Sequence, residues 1–98
     1  MQIVITPSDK PTKKCEARID GKKSIQHFGQ AGASDFTIHK DTERKNRYLD
    51  RHSKNEDWNN PLTAGFYARH ILWNKPTITE SIRDTNRRFH NRNIIYKN

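Results

Sequence analysis

Apolar residues alternate with polar ones over the first third of the chain and recur at helical spacing over the rest. Gln2-Ile-Val-Ile-Thr6 is a β-branched run stopped by Pro7, with Pro11 close behind. It predicts a short edge strand followed by a loop. In the run Lys14–Ile19, Cys15, Ala17 and Ile19 share one face, while Lys14, Glu16 and Arg18 share the outer one with Lys22 of the next arm. Asp20-Gly21 separates this run from Lys22–Phe28. Such a pair predicts a tight hairpin, because a type I′ turn needs positive φ at both central residues. A half-buried antiparallel sheet of two or three strands is therefore expected over residues 1–29. Gly29–Ser34 is a small-residue stretch without the spacing of a phosphate loop or a dinucleotide fingerprint. It reads as a turn leaving the sheet; the alternative is a bare backbone that approaches a phosphate or another chain.

Residues 41–90 follow a helical pattern. Asp41 is placed to cap a helix to about Ser53, with Glu43 in its first turn and Tyr48, Leu49 and His52 as a narrow apolar stripe. Asn60-Pro61 predicts the start of a second helix reaching about Trp73. Leu62, Ala64, Phe66, Tyr67, Ala68, Ile71, Leu72 and Trp73 lie nearly all round it, which predicts burial. Gly65 costs about 1 kcal/mol relative to Ala in a helix interior, so another backbone is expected to pass close by. Thr77-Ile-Thr-Glu80 fits a capping box for a third helix with Ile78, Ile82 and Phe89 inward. In the tail 91–98, Asn91-Arg-Asn-Ile-Ile-Tyr96 is a candidate final short strand. The fold class expected is α+β: a small N-terminal antiparallel hairpin or sheet packed on three C-terminal helices, in one domain spanning residues 1–98.

Composition narrows the picture. Hydrophobic residues make up 31% of the chain, the mean hydropathy is −1.16, and the net charge is +8 from 19 Lys and Arg against 11 Asp and Glu. A domain of this size buries only roughly 60–65% of its unfolded surface, so stability is expected to come partly from a partner. The charge predicts nucleic acid, an anionic lipid surface or an acidic protein as that partner. The single Cys15 cannot form an internal disulfide and reads as a small apolar strand residue. No apolar run reaches the length of a membrane span, so no membrane insertion is expected.

Candidate chemistry is sparse. The histidines His27, His39, His52, His70 and His90 show no paired ligand spacing, and one cysteine excludes a standard structural zinc site. His52 and His70 have a chance to meet where helices pack, with Glu56 or Asp57 joining them. No catalytic residue, metal or cofactor is expected, and the protein reads as non-catalytic. Basic residues carry more information. Arg44, Lys45, Arg47 and Arg51 line one helix; Arg83, Arg87, Arg88 and Arg92 line another. Arginine suits bidentate contact with phosphate or carboxylate. The aromatic anchors expected for a protein partner are Trp58, Phe66, Tyr67 and Trp73.

Phe28-Gly29, Ala33-Ser-Asp-Phe-Thr-Ile-His-Lys-Asp41, Arg47-Tyr48 with Arg51-His52, Asn55-Glu-Asp-Trp58, Pro61-Leu-Thr-Ala-Gly-Phe66, Leu72-Trp-Asn-Lys-Pro76 and Ser81-Ile-Arg-Asp84 form an ordered string. Over roughly residues 14–90 it resembles a family of short basic proteins of nucleocytoplasmic large DNA viruses (chlorella-virus and mimivirus-like). The resemblance implies a viral, virion-associated origin and transfers no catalytic residue. The function expected is a minor capsid or cement-type component, assembled in the host cytoplasm or nucleus into a large particle with larger virion proteins. The alternative is a nucleic-acid-binding or genome-packaging protein.

Overall fold

The β-branched N-terminal run forms β1 (Gln2–Pro7), and the two following arms form β2 (Lys13–Ile19) and β3 (Ile25–Gln30). The structure is a computed structural model, and it describes residues 1–20 and 25–97. Asp20 follows β2, but Gly21 of the expected Asp20-Gly21 turn and Lys22 of the next arm lie outside the described residues. β1 pairs antiparallel with β2 in a register that sets Ile3 against Ile19 and Ile5 against Ala17. β2 pairs antiparallel with β3, bringing Cys15 opposite Phe28.

The expectation that β1 is an edge strand is corrected. The tail forms β4 (Asn93–Tyr96), which pairs parallel to β1 and aligns Ile94 with Ile3. The sheet order is β3-β2-β1-β4, so β1 is internal. Pro7 is still tolerated because it stands at the end of the strand, where a missing N–H costs least.

Four helices follow β3. A short α1 (Phe36–His39), not foreseen in the sequence, is capped by Asp35, and α2 (Thr42–His52) by Asp41, whose carboxylate accepts from the N–H groups of Glu43 and Arg44. The next helix begins later than Asn60-Pro61 predicts. α3 (Ala64–Tyr67) starts after Thr63, whose hydroxyl accepts from Phe66 N–H, and continues as a π-helical turn over Ala68–Leu72. Asn60 is instead occupied in a local turn, its side chain accepting from Leu62 N–H, and the Pro61 carbonyl accepts from the Tyr67 hydroxyl at 2.7 Å. Leu62 therefore falls outside the helix and is exposed. α4 (Ile78–Arg88) has Thr77 as its cap, as expected; Thr77 Oγ1 donates to the Glu80 carboxylate instead of leaving Glu80 to reach a backbone N–H.

The core lies between one face of the sheet and α3, its π turn and α4. Ile3, Ile5, Ala17, Phe28 and Ile94 meet Phe66, Tyr67 and Ile71 there, with Ile82 at the margin. Each large side chain buried this way contributes about 1.5–3 kcal/mol. Glu16 departs from the expected exposed outer face: it is buried, held by Asp9 N–H and by Arg18 Nε at 3.0 Å. Gly65 is not approached by another backbone. A Cβ there would sit 3.0 Å from the carboxyl carbon of Glu56, so a side chain fills the space. No helix of the described residues is long and apolar enough to cross a membrane.

Candidate nucleic-acid interface

α2 buries little of itself. Tyr48 is its only buried residue, and positions 44, 48, 51 and 52 share one helical face at spacings of four, seven and eight. Tyr48 is stacked between two rings, Trp73 on one side at 4.2 Å and His52 on the other at 4.2 Å. Burial pushes the Tyr48 hydroxyl pKa upward, so it stays protonated. Between this face, β3 and α3 lies a cleft of about 530 Å³. Phe28, Ala64, Ala68 and Leu72 supply its apolar surface, and Lys13, Arg44 and Arg51 are among its polar lining.

The acids of the cleft are already committed. Asp35, nearly fully buried, holds Lys14 at 2.5 Å and accepts from Thr37. Glu56 accepts from Trp58 Nε1 at 2.9 Å and lies 3.2 Å from His52 Nδ1. Lys13, Arg44 and Arg51 make no ion pair among the described residues. The cleft is therefore left electropositive.

A second basic region lies across Trp73. Asp84 is buried, accepts from Asn74 Nδ2 at 3.0 Å and Arg87 Nη2 at 2.5 Å, and forms an ion pair with Arg88 Nε at 3.1 Å. Burial alone would raise its pKa; the Asn74 hydrogen bond, Arg88, Arg87 and Lys75 outweigh that and hold it below the ordinary value. Lys45 donates to the Asn74 carbonyl at 2.6 Å, and Arg69 donates to the Trp73 carbonyl at 2.9 Å. The Lys45 pKa is lowered by burial and then by repulsion from Arg69, Lys75 and Arg88. Arg69 is lowered likewise, by burial and then by Arg88. These cations outnumber the carboxylate among them.

His70 is a neutral spacer in this region. Its Nε2–H donates to the Trp58 carbonyl at 2.8 Å, and its Nδ1 accepts from Arg88 Nη2 at 2.9 Å. Burial lowers its pKa to about 4, with Arg88 and Arg69 adding to the effect against the Trp58 hydrogen bond. His52 and His70 face different partners, so the expected meeting of the two does not occur. His52 does meet Glu56.

The predicted site residues separate sharply. Phe66 and Tyr67 have no exposed surface, which corrects their assignment as partner anchors: they are the centre of the core. Trp58 and Trp73 are half-buried. Arg44, Arg51 and Arg83 are exposed and unpaired among the described residues, while Arg47 only approaches Glu43 at 3.9 Å. Lys45, Arg87 and Arg88 are engaged as described. Arg92 lies over Phe66 and Phe89, its guanidinium carbon 5.3 and 4.8 Å from the ring centroids, and is a packing residue more than a surface cation. Sequence reasoning missed Arg69, which sits in a helix read as core. It also missed Asp9, Glu16 and His27, whose ligand atoms lie within 4.8 Å of one another on the opposite sheet face and have the donor set of a divalent-cation site. The signal there is the cross-strand pairing of Glu16 with His27.

Residues 3–52, which carry β1 to β3 and α2, match a family of unknown function (DUF5754). No curated protein and no solved structure matches the chain.

Proposed function

We propose, for a chain that belongs to this family of unknown function, non-catalytic binding of nucleic acid through its phosphate backbone. The observation that carries this reading is the gathering of Lys45, Arg69, Lys75, Arg87 and Arg88 about Asp84, with Glu80 the other carboxylate of that hollow, so that cations exceed acids there. Packed like charges raise the free energy of the unliganded protein, and a bound polyanion relieves it. Arg44, Arg51 and Lys13 continue the positive surface on the cleft side of Trp73. Cations spread over α2, the π turn and α4 suit a repeated anion better than one phosphate.

The test is fluorescence anisotropy with labelled DNA across a salt series. Replacing Arg44, Arg51 and Arg83 with Gln is expected to weaken binding uniformly across sequences and to flatten the plot of log affinity against log salt by about two to three units. No binding at low salt, or an unchanged slope, overturns the proposal.

A structural role in a virus particle, implied by the resemblance to proteins of large DNA viruses, stands as a second reading. One observation favours it: β3 and β4 are sheet edges, carrying the exposed Ile25 and Tyr96. Edge strands pair readily with other chains. Recovery of the protein with purified particles tests this role, and its absence from them overturns it.

A further inference from the structure

We propose that Asp9, Glu16 and His27 form a binding site for a divalent transition-metal ion, zinc by its donor set. Their ligand atoms lie within 4.8 Å of one another. They come from three separate pieces of chain: Asp9 from the loop after β1, Glu16 from β2 and His27 from β3. Glu16 and His27 stand directly opposite in the antiparallel register, so the sheet fixes their spacing. The Asp9 N–H donates to Glu16 Oε1 at 3.3 Å, which folds the loop over the strand pair. Donors about zinc sit roughly 2.0–2.2 Å from the ion. Rotation of the exposed Asp9 side chain is enough to draw the three into contact with it.

Three features favour an ion over a plain polar cluster. Glu16 is 3% exposed, yet its cation partner, the Arg18 side chain, is 60% exposed, and an ion pair that open to water contributes little. The Asp9 carboxylate makes no ion pair among the described residues, although the chain carries a net charge of +8. Beside Glu16 it adds a second negative charge, which a divalent cation offsets. Ser8 Oγ lies 2.8 Å from His27 Nδ1 and accepts from Lys10 N–H at 3.0 Å, so the imidazole is held from outside as that of a metal ligand is. One imidazole with two carboxylates suits zinc better than magnesium or calcium, which prefer oxygen alone. Bound there, the ion ties the loop after β1 to β2 and β3. It stabilises the folded chain, because the unfolded one does not hold the three donors together.

Calorimetric titration of the full chain with zinc chloride tests the site, with magnesium chloride as the comparison and Asp9→Asn, His27→Gln and Arg18→Gln as variants. Zinc is expected to bind as a single ion per chain and, at saturation, to raise the melting temperature by at least about 4 °C. Magnesium at the same concentration is expected to do neither. Asp9→Asn and His27→Gln should each weaken zinc binding at least about tenfold. Arg18→Gln removes the competing cation and should tighten binding about two- to fivefold, the range of an exposed ion pair. Zinc held by a histidine elsewhere on the surface does not respond to Arg18. Absence of zinc binding, or a magnesium response equal to that of zinc, overturns the proposal. So does binding that Asp9→Asn and His27→Gln both leave unchanged, or that Arg18→Gln weakens. If His27→Gln unfolds, the imidazole resonances of His27 in the unaltered protein decide. They are expected to shift with zinc, and unmoved resonances overturn the proposal.

Discussion

The indole of Trp73 lies flat on the phenol ring of Tyr48, with centroids 4.2 Å apart and planes 2° from parallel. Because Tyr48 is the only buried residue of α2, this stack is the main apolar attachment of that helix to the core. It also fixes the angle at which Arg44 and Arg51 face the cleft.

Removing the indole should loosen α2 more than any other single change. Trp73→Ala is expected to cost about 2–3 kcal/mol, below the value for a fully buried Trp because Trp73 is half-exposed. Trp73→Phe keeps an aromatic face and should cost about 1 kcal/mol. Urea unfolding measures both. Hydrogen exchange should show the loss of protection concentrated in residues 42–52. Equal stability of Trp73→Ala and the unaltered protein would show that α2 is held by something else.

Glycine positions separate steric cost from backbone strain. Gly29 has φ +78, and a Cβ there would lie 2.6 Å from Leu72 Cδ1; Gly32 has φ +84 with nothing within 4 Å. Gly32→Ala therefore carries the left-handed penalty alone, about 1 kcal/mol. Gly29→Ala adds the collision and should cost at least about 2 kcal/mol. Chemical denaturation of the two variants checks the order, and a Gly32→Ala that costs as much as Gly29→Ala refutes the steric argument.

How far the fold was legible depends on the distance over which each feature is decided. Asp41 and Thr77 announce α2 and α4 because capping acts within three residues. Cys15, Ala17 and Ile19 announce the buried face of β2 by simple alternation. The internal position of β1 was not legible, since its parallel partner Ile94 lies at the far end of the chain. Asn60-Pro61 offered a strong local start for α3, yet Asn60 is used in a turn and Thr63 caps the helix, with the Pro61 carbonyl accepting from the Tyr67 hydroxyl six residues on. In the candidate interface, Arg44 and Arg51 were legible from composition and period. Arg69 was not, because membership of an apolar helix hides which residue turns outward. Phe66 and Tyr67 show the converse error: aromatic bulk marks a core as readily as an interface.

His70 makes stability fall in mild acid. Its folded pKa is about 4, lowered from 6.5 by burial. A base with a depressed folded value binds its proton more readily when unfolded, so stability is level above pH 6.5 and declines as pH falls from 6.5 towards 4. The loss is on the order of 2–3 kcal/mol. Asp84 acts in a lower window: its lowered pKa contributes stability above 3.8 that is lost as pH falls further. His70→Gln should flatten the decline between pH 6.5 and 4 measured by urea midpoints. A decline of unchanged size in that variant would assign the effect to another group.

Of the three arginines of α4, Arg83 should bind and Arg88 should hold the fold. Arg83 is exposed and makes no ion pair among the described residues, whereas Arg88 forms an ion pair with Asp84 and donates to His70 Nδ1. Arg83→Gln is expected to leave the melting temperature unchanged, because isolated surface charges contribute little to stability. It should weaken DNA binding modestly at every sequence and flatten the salt slope by about one unit. Arg88→Gln removes a charge from a buried carboxylate and a donor from His70 Nδ1, so it should lower stability by about 1–3 kcal/mol. Its effect on binding is then read only at temperatures where the variant is folded. Paired thermal melts and anisotropy titrations make the comparison. If Arg83→Gln lowers the melting point as far as Arg88→Gln does, the division between the two fails, and α4 presents no free phosphate contact.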